Sequence, residues 1–148
     1  MAKILVIDDS ALVRNVIADF LRDCGHTVLT AENGKSGLEA ARSESPDLIL
    51  TDILMPEMDG LELIRAVRAN SSNICIVAMS GGGNVPQDSL FQAAASFGAS
   101  EVLAKPFTAE NLLRVINKCL GPPAWRISGE QITRVAPRRL GVVPARHD

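Results

Sequence analysis

KILVIDDS, residues 3–10, places a strand, a polar edge and a helix start within eight residues. The run from Lys3 to Ile7 is almost continuously apolar, as in a strand buried on both faces. Two acids, Asp8 and Asp9, end it abruptly. Ser10 stands where a helix N-cap belongs. Behind it Val13, Val16, Ile17, Phe20 and Leu21 recur at spacings of three and four, a helical stripe. Gly25 stands where the left-handed residue after a helix belongs. The first 25 residues therefore read as one strand followed by one helix.

The same unit recurs down the chain. Further strand-like runs cover 27–31, 47–51, 74–79 and 101–104. Between them Asn33-Gly34 opens a second helix and Glu44-Ser45-Pro46 closes it. A third helix is predicted over 59–69, with Leu61, Ile64 and Val67 on one side. A fourth spans 86–97 and stops at Gly98; a fifth spans 108–120 and stops at Gly121-Pro122-Pro123. Five strands alternating with five helices predict an α/β fold, a doubly wound parallel sheet with helices on both faces. No self-similar repeat of about 20–50 residues accompanies the rhythm.

Composition bounds the function. The chain has 148 residues, 47% hydrophobic and 22% charged, which suits one soluble domain with a full core. No apolar run approaches the roughly 20 residues that span a bilayer. MAKILVIDDS reaches two acids too early for a signal peptide, so a cytoplasmic location without membrane insertion is expected. Cys24, Cys75 and Cys119 form no close pair, and are expected to be small apolar residues in a reducing compartment, with neither disulfide nor zinc. Net charge is −2 but uneven: residues 122–148 carry five arginines against Glu130 and Asp148, a net of +3, leaving −5 on 1–121. The expected organisation is a domain over 1–121 and a basic Pro/Arg-containing tail over 122–148 without a core of its own. Within the tail, 127–135 could form a short strand or hook, and Trp125 is expected to pack on the domain.

In a doubly wound sheet ligands bind beyond the carboxyl ends of the strands. Asp8 and Asp9 lie there at the first strand, Asp52 at the third, Ser80 at the fourth and Lys105 at the fifth. Singly, such residues most often cap helices or turns. Together they form a site. Three clustered carboxylates repel one another, and a divalent cation relieves the conflict. Oxygen ligands without His or Cys favour a hard ion, with Mg2+ the default beside phosphate. Lys105 offers a mobile point charge for a phosphoryl oxygen. His26, in a helix–strand turn, and His147, in the tail, read as solvated.

IDDS at 7–10, DILMPEMDG at 52–60, MSGG at 79–82 and KPF at 105–107 together resemble the receiver domain of two-component response regulators, over about residues 2–120. The resemblance implies a flavodoxin-like sheet of order 2-1-3-4-5. It implies that Asp52 is the phosphoacceptor, forming an acyl phosphate by in-line attack on a phosphohistidine donor. Asp9, Asp52 and the backbone carbonyl of Leu54 would bind Mg2+, with Asp8 acting mostly through a metal-bound water. Lys105 would pair with Asp52 and then with the phosphoryl group. Ser80 would bond a phosphoryl oxygen, and backbone N–H groups near Leu54 and Gly81 would complete the anion cradle. Lys105–Pro106 resembles the family's cis peptide. Met55-Pro56 and Asp59-Gly60 would shape the loop after Asp52.

Two positions depart from the family's commonest pattern. Val102 stands three residues before the lysine, where an aromatic switch is frequent; a stiff valine cannot perform that rotation. It is either a plain strand residue or a sign that output does not use aromatic gating. The segment from Gly81 through Gly82, Gly83, Asn84, Val85 and Pro86 makes Ser80 to Lys105 25 positions, longer than usual. It is either a tolerated surface loop or a mobile link between Ser80 and the fourth helix. Leu54 and Gly82 pull in opposite directions on access of water to an acyl phosphate.

The expected function is a stand-alone receiver, not an enzyme beyond its own phosphorylation and dephosphorylation. Its expected partners are a histidine kinase or histidine phosphotransfer protein, and a downstream protein on the face of fourth helix, fifth strand and fifth helix. A monomer or weak dimer is expected, with no nucleic acid, since 122–148 shows no basic recognition helix. A phosphorelay shuttle or phosphate sink is the alternative. A magnesium-dependent phosphohydrolase with an Asp nucleophile is a further one, and Leu54, where such enzymes carry a second Asp, speaks against it.

Overall fold

A computed structural model describes residues 2–70, 73–81, 85–121 and 142–143. Gly82, Gly83, Asn84, Trp125, residues 127–135 and His147 lie outside the described residues. The elements run β1 (Lys3–Ile7), α1 (Ala11–Asp23), β2 (Thr27–Ala31), α2 (Gly34–Glu44), β3 (Leu48–Asp52), α3 (Gly60–Ala69) and β4 (Cys75–Ser80). They continue with α4 (Gln87–Phe97), β5 (Glu101–Ala104), β6 (Phe107–Thr108), α5 (Ala109–Leu120) and β7 (Val142–Val143). The main sheet has the order β2-β1-β3-β4-β5, as the family resemblance implies, and every pairing is parallel, as the alternation of strands and helices predicts. Strands three and four sit one residue later than predicted, so Asp52 and Ser80 are themselves the last strand residues.

Alternation along each strand divides the core in two. Ile4, Val6, Leu48, Leu50, Val77 and Met79 face one way and bury the stripes of α1 and α5. Leu5, Ile7, Ile49, Ile76 and Ala78 face the other way, against α2, α3 and α4. On α3 the buried face is Leu63, Ile64 and Val67; Leu61 is only partly buried, because the stripe is rotated toward the sheet. Truncating one such side chain to alanine typically costs about 2–5 kcal/mol.

Four helices begin on side-chain caps. Ser10 Oγ accepts from Val13 N, Asn33 from Ser36 N, Asp59 from Glu62 N and Thr108 from Asn111 N. The α4 start at Pro86 has no side-chain cap. Gly25 turns the chain out of α1 at φ 96°, a conformation glycine adopts without steric cost.

Two findings run past the sequence reading. Cys75 and Cys119 form a disulfide with Cα atoms 6.0 Å apart, correcting the expectation of three isolated thiols. They are 44 residues apart in sequence, and only the packing of α5 beside the start of β4 brings them together. Cys24 is free and buried, as expected. In the C-terminal segment, Val142–Val143 pairs antiparallel with β6, and Val143 is fully buried in the core shared by α1 and α5. No helix among the described residues is long and apolar enough to cross a membrane.

Candidate functional site

Strand register assembles the site. The β1–β3 ladder pairs Ile7 with Thr51, so the next residues, Asp8 and Asp52, emerge side by side. The β4–β5 ladder pairs Ser80 with Ala104, so Lys105 follows directly beside Ser80. Backbone bonds continue past the strands, from Ile53 N to Met79 O and from Lys105 N to Ser80 O, each 2.9 Å. The order reverses at β1 and β3, which makes this edge the topological switch point.

Asp8, Asp52, Ser80 and Lys105 are all buried; Asp9 is half-buried. Lys105 Nζ lies 2.9 Å from Asp8 Oδ2 and 3.6 Å from Asp52 Oδ2, so the ammonium bridges two carboxylates and sits closer to Asp8. Its side chain is only 1% exposed, which leaves it little water as an alternative partner. Ser10 N donates to Asp8 Oδ1 at 2.9 Å, and Arg14 donates to the Asp8 carbonyl at 2.8 Å. Thr51 Oγ1 donates to the carbonyl of Asp52 at 2.9 Å.

Asp8, Asp9 and Asp52 each offer one carboxylate oxygen, and these atoms all lie within 4.8 Å of one another. Three formal negative charges against one ammonium leave an excess of two. An all-oxygen, doubly negative cluster of this size fits a hard divalent cation such as Mg2+. Leu54 follows in the loop and is 39% exposed; Gly81 is half-exposed beside Ser80. Lys105–Pro106 is cis. Val102, 36% exposed, lies in β5 opposite Ala78.

Three participants escaped the sequence reading. Arg14 lies on the half-exposed side of α1, six residues from Asp8, outside the apolar stripe. Ser10 was read only as a cap, yet its N–H also holds Asp8. Gln87 donates its side-chain amide to the carbonyl of Ser80, across the long segment that follows it. Only Arg14 left a signal, as a charge one turn from the acids. His26, expected to be solvated, is half-buried, and burial lowers its pKa.

The fold and this edge define a class: a phosphoryl-accepting signalling domain. The sequence profile described as the response regulator receiver domain matches residues 4–117, and the chain belongs to that family. It is similar to the chemotaxis protein CheY of Bacillus subtilis, 38% identical over 119 residues, covering 80% of this chain and 97% of that protein. It is similar to the protein PilH of Pseudomonas aeruginosa, 36% identical over 122 residues, covering 81% and 98%. Among solved structures, the chemotaxis response regulator CheY4 of Vibrio cholerae superposes with a TM-score of 0.74 at 33% identity, covering 80% of this chain and 98% of that one.

Proposed function

We propose that Asp52 is the phosphoacceptor of a receiver that signals through phosphorylation-controlled protein binding. A carboxylate oxygen of Asp52 attacks the phosphorus of a phosphohistidine on a histidine kinase or phosphotransfer protein. The P–N bond breaks, the imidazole leaves, and an acyl phosphate forms; water later returns the carboxylate. The observation that carries this reading is the meeting of Asp8, Asp9 and Asp52 with the buried ammonium of Lys105 at the sheet's switch point.

Each residue has a role that its chemistry supports. Asp8, Asp9, Asp52 and the Leu54 carbonyl would hold Mg2+, which when bound neutralises charge on the phosphoryl oxygens. Lys105 balances negative charge and fixes one phosphoryl oxygen. Ser80 donates its hydroxyl to another, and the backbone N–H groups of Leu54 and Gly81 add to the cradle. Catalysis of this kind is positioning plus electrostatics. Pro106, Val102 and the glycines at 82 and 83 then belong to transmission, toward a partner on the face of α4, β5 and α5. Residues 1–121 constitute the receiver and 122–148 a basic appended segment, from which Val142–Val143 returns to the domain.

Incubation with a histidine-phosphorylated donor protein and magnesium tests the reading. The expected product is one base-labile, acid-stable phosphoryl group, lost in Asp52→Ala. Steady turnover of a generic phosphomonoester instead would favour the phosphohydrolase.

A further inference from the structure

The carbonyl of Ser80 is held from two sides. Lys105 N donates to it from β5 at 2.9 Å, and the Gln87 side-chain amide donates to it from α4. The first bond is an ordinary continuation of the ladder. The second joins residues seven apart, across Gly81 and Val85-Pro86. Ser80 is fully buried and ends β4, and its carbonyl lies in the peptide plane that begins at the Cα bearing the side chain, so holding it restrains the backbone on one side of that Cα.

The rest of α4 shows why this bond matters. The helix has no side-chain N-cap, and its first residue directs its amide to Ser80. Along it Leu90 and Ala94 are buried, and Phe91 and Phe97 pack partly buried against the same core. Its far end is fastened independently. Arg68 Nε donates to Gly98 O at 2.9 Å, and the Arg65 guanidinium lies 4.7 Å from the Phe97 ring centroid. Gln87 is therefore a polar link between the first turn of α4 and the strand end that carries the Ser80 hydroxyl.

We propose that Gln87 is a positioning residue of the phosphoryl site, which aims the Ser80 hydroxyl by holding the Ser80 carbonyl and ties the first turn of α4 to that strand end. The proposal rests on the reading of Asp52 as phosphoacceptor and adds a residue to it. Because the link is a donated hydrogen bond, donor chemistry rather than side-chain volume decides its effect. Gln87→Glu keeps the shape, loses the donor and sets a carboxylate against a carbonyl. Gln87→Lys restores a donor on a different shape. Misplacement of a catalytic group by about 1 Å can cost on the order of a hundredfold, and loss of one indirect restraint costs less.

The experiment measures the rate of Asp52 phosphorylation in the full-length chain against acetyl phosphate concentration, at saturating magnesium. It is paired with hydrogen exchange of the peptide covering 85–90. Gln87→Glu is expected to lower the maximal rate by roughly tenfold with donor half-saturation unchanged, and to speed exchange in that peptide. Gln87→Lys is expected to recover to within about threefold of wild type. Equal rates in all three proteins, or equal loss in both variants, overturn the proposal. A wild-type chain that forms no Asp52 adduct rejects the site reading itself, and the proposal falls with it; that failure shows before any variant is made.

Discussion

Asp9 is the residue whose role is most exposed to test by substitution. It is half-buried, and it lies within ligand distance of the Asp8 and Asp52 carboxylates. Losing even an outer-sphere partner of a bound metal commonly costs about 10–100-fold in affinity. On the proposed reading Asp9 is a direct ligand, so Asp9→Asn removes its charge, and the magnesium needed for half-maximal phosphorylation is expected to rise by at least about tenfold. A titration of rate against magnesium measures it, and an unchanged midpoint excludes Asp9 as a ligand. Gly60 acts from behind the site. A Cβ there would strike the carbonyl oxygen of Asp52 and lie 2.8 Å from Ile53 Cα. Backbone cannot yield as a flexible side chain can, so Gly60→Ala is expected to cost about 1–3 kcal/mol in urea unfolding and to slow phosphorylation by shifting Asp52. At this scale the sequence was legible for the five strand-end side chains, because each follows directly on an apolar run. It was silent on Gln87, which lies seven residues from its partner Ser80 and on another element.

Among the elements, α1 shows how one residue serves both fold and site. Ser10 caps the helix through Val13 N at 3.3 Å, while its own N–H holds Asp8. Ser10→Ala keeps the N–H and loses the cap, so it is expected to cost about 1 kcal/mol with little change in phosphorylation. Thermal melting beside a phosphorylation assay separates the two, and an equal collapse of both would contradict the division of labour. Helix caps were readable because they are local, decided within four residues. The Cys75–Cys119 bond was not, because 44 residues separate its ends and no spacing rule reaches that far. Closing a loop of that length restricts the unfolded chain by about 4 kcal/mol at most. Reduction is therefore expected to lower the unfolding midpoint measurably, and Cys75→Ser to make the midpoint insensitive to reductant. Cys24 serves as an internal control: burial, with the nearby Asp23 charge, raises its thiol pKa to about 11, so it stays protonated and resists alkylation in the folded protein.

For the whole molecule, the alternation of five apolar runs with five helical stripes implies a parallel sheet with helices on both faces, and the main sheet has that form. That pattern has few parallel-sheet solutions, and right-handed crossovers reduce them further. The return of Val142–Val143 to β6 was not legible, since two valines among prolines and arginines carry no periodicity. In the structure Val143 is buried in the core cluster that includes residues of α1 and α5. The fold in turn makes the chemistry possible, since register alone sets Asp8 beside Asp52 and Lys105 beside Ser80. The most direct measurement is the intact mass of the full-length chain after incubation with acetyl phosphate and magnesium. The account predicts a single added phosphoryl group, abolished by chelation of magnesium and by Asp52→Ala. A chain that gains no phosphoryl group, or an Asp52→Ala variant that gains it equally well, would contradict the account.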